Sequence, residues 1–414
     1  MASSVASGLW RAARGTLPWY PSCRAPFQRL LAAPSVFSPR PEPLRLDITP
    51  SSTHMRTLRT HILCQGAAQQ EIQGTNEQPG VQVRVYKSGS QDPFFNLATE
   101  EWLFTRGDAG VHTLFLWRNG PSVIIGRFQN AWKECHVQRM DSEGVNLVRR
   151  KSGGGAVYQD LGNSIFTFIS PKDADNIPRN NDIVVKALKH FGIDAKPTGR
   201  NDIVVDSLKV SGAAFKHARH TTLHHGTLLV DVDMAALGNY LNPNKAKLES
   251  KGIASVRARV MNLRELSPGL DHDTLSDALI ESFFASHGIR CEVEMLDVED
   301  LRRIPELQEL EAGLRNTDWR FGKDPDMSHH LETKFDWGGI DIHLNASKGV
   351  ITQVKVFSDA LNVAFIERLE KGLVGCPYSM AGVAQLGERL KEEGKGELDV
   401  KNVEELCTWL GQSL

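Results

Sequence analysis

The chain has 414 residues, 41% of them hydrophobic and 24% charged, with a formal net charge of -2. At roughly 100 to 200 residues per domain this allows two or three domains with real cores, and the near-neutral balance excludes a general attraction to nucleic acid or an anionic membrane. No apolar run approaches the ~18 residues of a membrane span, and the six cysteines (Cys23, Cys64, Cys135, Cys291, Cys376, Cys407) are scattered without a Cys-x-x-Cys pair. They indicate neither a disulfide framework nor a zinc site, and they fit a reducing compartment.

The first residues carry Arg11, Arg14, Arg24, Arg29 and Arg40 and no acid before Glu42. Arginine interleaved with Leu, Trp and Phe, without a continuous apolar stretch, is the pattern of a mitochondrial transit peptide. Residues 44–80 are rich in Ser, Thr, Gln and Gly and read as its remainder and a linker, so residues 1–80 lie outside the expected folded body. Order is expected from Val81. The alternating Val81-Gln82-Val83-Arg84-Val85-Tyr86 reads as a strand, and Asp92-Pro93 as the cap and first turn of a helix reaching Arg106.

Strand patterns follow at 113–117, 122–125, 145–149, 164–169, 203–205, 208–211 and 227–230, with helices at 183–191 and 274–287. Strands joined by hairpin-length turns such as Asp206-Ser207 predict an α+β domain over 81–315, a mixed or antiparallel sheet with packed helices. A second, smaller α+β module is expected over 316–414, with strands at 329–335, 339–344 and 351–357 before helices at 362–371, 380–391 and 403–410.

Three segments carry chemistry. In Arg149-Arg150-Lys151-Ser152-Gly153-Gly154-Gly155-Ala156-Val157-Tyr158 basic residues close a strand and glycines follow, which lets backbone N–H groups approach a phosphate. The pattern is neither a P-loop nor a dinucleotide fingerprint. In the second, Asn201-Asp202 precede a strand in which Lys209 stands before the small residues Ser211, Gly212, Ala213 and Ala214, so a cation is held where a ligand has room. The third is His224-His225-Gly226-Thr227. Adjacent strand histidines point to opposite faces and cannot share one metal, so no metal is expected and one histidine faces the site. Downstream, 242–259 is basic and glycine-punctuated, suited to folding over a nucleotide.

Together with Asp92-Pro93-Phe94-Phe95-Asn96-Leu97-Ala98, Phe115-Leu116-Trp117-Arg118-Asn119 and Val123-Ile124-Ile125-Gly126-Arg127-Phe128-Gln129-Asn130, these motifs resemble the lipoate-protein ligase A and lipoyltransferase family. Asp336-Trp337-Gly338-Gly339 and Val356-Phe357-Ser358-Asp359 are similar to its C-terminal accessory domain. The resemblance implies a biotin- and lipoate-ligase-like catalytic domain. It implies that Arg150, Gly155, Ala156, Val157 and Tyr158 hold the adenylate and that Lys209, the catalytic residue, contacts the acyl carbonyl and the α-phosphate. Ser152, Gly153, Gly154, Asn201, Asp202, Ser211, Gly212, His225, Gly226 and Thr227 are further candidates. This chain departs from many relatives at Gln159, where they carry His, and at Lys216, where some carry Arg.

The implied reaction is lipoylation of a lysine on lipoyl domains of 2-oxoacid dehydrogenase complexes or on the glycine-cleavage H protein, by a monomer in the mitochondrial matrix with no nucleic-acid or membrane partner. Its donor would be lipoate with ATP and Mg2+ if the enzyme activates its own substrate, or else preformed lipoyl-AMP. Burying about seven methylenes at roughly 0.8 kcal/mol each supplies about 5 kcal/mol, so an apolar pocket would dominate recognition. One alternative moves lipoyl from H protein to acyltransferase subunits without ATP, and another, of a different class, is a non-catalytic lipoyl-domain-binding protein. A thioester route is disfavoured because no cysteine lies between Arg149 and Arg259, and a serine hydrolase because neither Ser152 nor Ser211 sits in Gly-x-Ser-x-Gly.

Overall fold

The computed structural model describes residues 81–414 apart from 109, 173–175, 200, 243–259, 323–326, 395–396 and 414, all within one unit, 71–414. Residues 1–80, expected to hold a transit peptide and linker, and residues 243–259 of the basic segment therefore lie outside the described residues. No described helix is long and apolar enough to cross a membrane.

The core of the first body is a mixed eight-stranded sheet. Its strands in chain order are β1 (Gln82–Ser88), β2 (Val111–Trp117), β6 (Asn163–Pro171), β7 (Lys196–Thr198), β8 (Asp202–Val205), β9 (Leu208–His217), β10 (Thr221–Leu229) and β11 (Val293–Leu296). A smaller sheet takes β3 (Ser122–Ile125), β4 (Asn146–Arg149) and β5 (Val157–Gln159). In the large sheet β1 runs parallel to both β2 and β11, while the remaining pairs are antiparallel. The mixed α+β architecture is the one expected, although β9 and β10 extend well beyond 208–211 and 227–230. Their added stretches, through His217 and from Thr221, carry Lys, His and Thr, which mask the alternation that periodicity detects.

Each element follows from local chemistry. Helix α1 (Pro93–Arg106) starts where the Asp92 side chain accepts from the Phe94 N–H and Pro93 occupies the first turn, where no N–H is needed. The turn between β8 and β9 places Asp206 and Ser207 both at positive φ, the backbone twist that tight hairpins require. One face of the large sheet buries Leu114, Leu116, Phe166, Phe168, Val210 and Leu228 against helices α2 (Asn176–His190) and α3 (His272–His287). The other face meets α1 and the small sheet. Helices α4 (Pro305–Arg315) and α5 (Thr317–Phe321) pack back on this first body, α4 against α1 and α5 against β4.

The C-terminal body is an antiparallel sheet of β12 (His329–Phe335), β13 (Gly338–Ser347) and β14 (Val350–Ser358). Ile340, Ile342, Leu344 and Val356 bury one face against helices α6 (Val363–Leu373), α7 (Met380–Glu393) and α8 (Glu397–Ser413). Its opposite side seats on the catalytic body. Phe128 enters its core, the Ser358 N–H donates to the Phe128 carbonyl at 2.9 Å, and Arg127 pairs with Glu367 at 2.6 Å.

Candidate active site

The glycine loop between β4 and β5 is built around Arg150. Its buried guanidinium donates to Ser152 Oγ (3.0 Å), to the carbonyls of Gly153 (2.6 Å) and Gly155 (2.9 Å), and to that of Ile124 (3.1 Å). Burial lowers its pKa to about 10, opposed by Glu100. Arg150 thus shapes the loop from within, and its donors are already engaged there. Gly126 and Gly154 touch: a Cβ on Gly126 would lie 2.1 Å from the Gly154 oxygen, and Gly154 holds φ +91. A Cβ on Gly153 would meet the Ala360 oxygen at 2.3 Å, and the Gly154 N–H donates to that oxygen, so the C-terminal body rests directly on the loop. Gly155 differs, because nothing lies within 4 Å of the Cβ position. Beside it Ala156 and Val157 are half-buried, whereas the Tyr158 ring is buried and stacks on Tyr240 at 5.6 Å.

On β10 the two histidines separate as strand geometry demands. His224 lies among Phe166, Phe168 and Phe215, and burial lowers its pKa to about 3. His225 faces the glycine loop. Its Nε2 lies 2.8 Å from Ser152 Oγ and its Nδ1 lies 2.8 Å from Glu100 Oε1, which also accepts from Thr167 Oγ1 (2.6 Å). The Trp117 indole donates to Thr167 Oγ1 at 3.0 Å. Since Arg150 Nε donates to Ser152 Oγ, the serine hydroxyl donates onward to His225 and Nδ1–H to Glu100. The order resembles a hydrolytic triad, but Ser152 is 2% exposed and its lone pair is engaged by a guanidinium, so it has no face open to an ester.

Leu97, Leu223, Leu310 and Leu314 wall a pocket floored by Glu100, Glu101, Arg150, Ser152 and His225, with Lys151 and Lys216 at its side. Lys216 Nζ lies 2.5 Å from Glu101 Oε2, and Lys151 reaches Glu101 at 3.3 Å. Burial pulls the Lys216 pKa below the ordinary lysine value even though Glu101 opposes it. The enclosed space is about 10 Å³, room for one water.

Lys209 stands farther along the same sheet face. A regular strand would put Lys209 and Gly212, three apart, on opposite faces. The register pairs Val204 with Lys209 but Ile203 with Ser211, so Val210 is the extra residue of a bulge that re-aims the lysine. Lys209 Nζ lies 2.7 Å from Asp202 Oδ1 and 2.6 Å from where a Gly212 Cβ would be, so only glycine leaves its path clear. Thr227 and Gly212 bond across the strands, Asn201 holds Ala213 through its side chain (2.6 Å), and Ser211 is buried. Gly226 sits on the core face, where a Cβ would strike the Phe166 ring at 2.3 Å. Val260 forms a parallel bridge with Lys209, and the Met261 N–H donates to the Lys209 carbonyl at 3.0 Å.

Along one face of β9 and β10 the structure therefore brings Ser152 to His225, Gly154 to Ala214, and Lys209 with Asp202 of β8 to Gly212 and Thr227, and it sends the Tyr158 ring and Gly226 to cores. Gln159 joins a buried amide chain through Asn119 to Asn96. The sequence reading missed Glu100, Glu101 and Thr167; two acids inside an otherwise apolar helical stretch were the available signal for the first two.

The family model described as lipoyl protein ligase A/B catalytic domain matches residues 92–284, and that of the bacterial lipoate protein ligase C-terminus matches 324–410. Lipoate-protein ligase A of Psychrobacter cryohalolentis is 49% identical over 303 residues, 72% of this chain and 89% of that protein. The chain belongs to the lipoate-protein ligase A family. As a member of it, the protein is an enzyme. Its fold is similar to the crystal structure of P. falciparum LipL1 in complex with lipoate (TM-score 0.72, 32% identity, covering 80% of this chain and 99% of that one). It is also similar to the bipartite lipoate protein ligase solved with its E2 lipoyl domain from Thermoplasma acidophilum (TM-score 0.51, 27% identity, 60% and 100% covered). In this ligase-family enzyme Cys135 is buried, and burial pushes its thiol up to about 12, which leaves it unsuited to carry a thioester.

Proposed function

We propose that the enzyme joins the lipoyl carboxyl to the ε-amino group of one lysine on a lipoyl-domain acceptor, through lipoyl-AMP. In the first half-reaction the carboxylate attacks the α-phosphate of ATP with Mg2+, giving the mixed anhydride and pyrophosphate. In the second the acceptor amine attacks the acyl carbon, AMP leaves, and one proton is released. The observation that carries this reading is the single strip along β9 and β10, where the leucine-walled pocket reaches Leu223 and His225, Gly154 of the glycine loop lies against Ala214, and the re-aimed Lys209 stands over Gly212. Apolar walls suit an acyl chain, Gly155 a close phosphate, and a compact ammonium the oxygens of an acyl phosphate. The pocket must widen to admit the chain, and the Lys151, Lys216, Leu310 and Leu314 side chains at its rim are the ones to move.

The acceptors we propose are the acyltransferase subunits of 2-oxoacid dehydrogenases and the glycine-cleavage H protein. Protein lacking residues 1–80 is incubated with an acceptor domain and, in turn, lipoate with ATP and Mg2+, lipoyl-AMP, or lipoylated H protein, and products are read by intact mass. Mass gain from either of the first two donors supports the adenylate route, and gain only from lipoylated H protein overturns it. The setting we propose is the mitochondrial matrix, on the acid-free arginine-bearing N-terminus. Residues 1–60 should carry a fluorescent reporter into mitochondria, and a diffuse cytosolic signal would refute that.

A further inference from the structure

The face of the C-terminal sheet turned away from its helices carries a cluster that the proposed reaction does not use. His330 and Glu332 lie two apart on β12, and Asp341 and His343 two apart on β13, so each pair shares a face. The antiparallel register sets His330 directly opposite His343 and Glu332 directly opposite Asp341. Four side chains with nitrogen or carboxylate donors therefore stand in a square on one face, while Ile340, Ile342 and Leu344 take the other into the core. Nε2 of His330 lies 2.8 Å from Asp341 Oδ1, and Nε2 of His343 lies 3.0 Å from the same oxygen. Among the described residues this is the one trio of histidine and carboxylate groups whose donor atoms converge, all within 4.8 Å of one another.

A second observation bears on a ligand. Nε2 of His343 is buried and makes no hydrogen bond, despite its nearness to Asp341. A 3.0 Å approach to Asp341 that lacks hydrogen-bond geometry leaves this shielded ring nitrogen poorly satisfied, and a bound cation is one way such an atom is satisfied. The two imidazoles also stack with centroids 4.5 Å apart, so both present the same nitrogen to the same space.

We propose that His330, Asp341 and His343 bind a divalent transition-metal ion of the zinc class, through the two Nε2 atoms and Asp341 Oδ1. Imidazole nitrogens with a carboxylate oxygen suit zinc over magnesium or calcium, which prefer all-oxygen sets. Ligand bonds of about 2.0–2.2 Å require the three atoms to draw together by small side-chain rotations. Glu332, whose Oε2 lies 3.8 Å from His330 Nε2, stands where a fourth ligand would come from. The other Asp341 oxygen remains with Lys133 of the catalytic body, at 2.6 Å, and orients the carboxylate as outer partners of metal ligands do. The ion would tie β12 to β13 on the side facing that lysine. Two carboxylates against one ammonium leave the site net anionic before the metal binds.

The test uses the full chain without an affinity tag, titrated with Zn2+ against a chromophoric chelator, together with its melting temperature with and without Zn2+. The expected result is one equivalent bound with a Kd of about 1 µM or tighter, a melting temperature raised by the ion, and affinity at least about tenfold weaker in both His330→Gln and His343→Gln. Co2+ in place of Zn2+ should give a visible absorption band that both variants lose. If His343→Gln fails to fold, His330→Gln decides alone, since the His330 side chain is 48% exposed and its loss leaves the core intact. No binding in the micromolar range, or affinity in His330→Gln within threefold of the parent, overturns the proposal.

Discussion

Lys209→Ala tests the centre of the proposed chemistry. The lysine is paired at 2.7 Å with Asp202, but both side chains keep about a quarter or more of their surface in water, at 31% and 25%. Asp202 left alone is therefore still solvated, and the variant should fold with an unchanged circular dichroism spectrum. What the substitution removes is a charged donor to the acyl phosphate. A hydrogen bond from a charged group is worth about 1.5–3 kcal/mol, and one realised mainly in the transition state appears in kcat as a loss of roughly 10- to 150-fold. Lys209→Arg should rescue little, because the amine passes 2.6 Å from the Gly212 Cβ position and a planar guanidinium needs more room there. The assay is single-turnover transfer from preformed lipoyl-AMP to an acceptor domain. Transfer by Lys209→Ala within about threefold of the parent, a loss of only about 0.65 kcal/mol, would refute the reasoning and leave Lys209 as a strand lysine neutralised by Asp202.

The neighbouring glycines should part company: Gly155→Val, with open space around its Cβ, should fold like the parent yet bind lipoyl-AMP about tenfold more weakly, whereas Gly154→Val, at φ +91 and against Arg150, should lower stability by about 2 kcal/mol or more, read by urea unfolding. Glu101→Gln strips the carboxylate from Lys216 and Lys151 and should cost about 2–3 kcal/mol in the same assay, with no change expected if the two lysines are already solvated. For pH, burial holds His224 at about 3 and His272 at about 4, both below the ordinary histidine value, so the unfolded chain takes up protons first as pH falls. Stability from these groups is complete well above pH 6.5 and is lost as pH drops toward 3–4; between pH 6.5 and 4.5 each contributes a loss of about 2 kcal/mol. His224→Leu should shrink the measured drop by that amount, and an unchanged drop would show that His224 does not titrate in this way.

Much of the site was legible in order along the chain because its motifs are local. The glycine loop, Lys209 with its small neighbours and the paired histidines each advertise themselves by residue type at fixed spacing. Alternation also settled which kind of element carries each of them, and strand geometry alone implied that only one of His224 and His225 could face the ligand. Roles were less legible than positions. Arg150 reads as a phosphate grip, yet its donors close on Ser152, Gly153, Gly155 and Ile124, a partnership no one-dimensional pattern reveals.

The sequence by itself determined the family motifs, the strand and helix types, the apolar faces and the absence of any apolar run of membrane-spanning length, because these follow from short-range periodicity and from residues that constrain their own backbone. Tertiary structure alone decided what lies across a gap in the chain. Glu100 meets His225 only when α1 packs over β10, and Lys209 turns to the site only because a bulge at Val210 shifts its register against β8. The glycine loop receives Ala360 only when the C-terminal body seats on it, and His330 faces His343 only when β12 pairs with β13. Side chains distant in sequence meet through strand register and packing, and a one-residue change of register reverses which face every one of them serves.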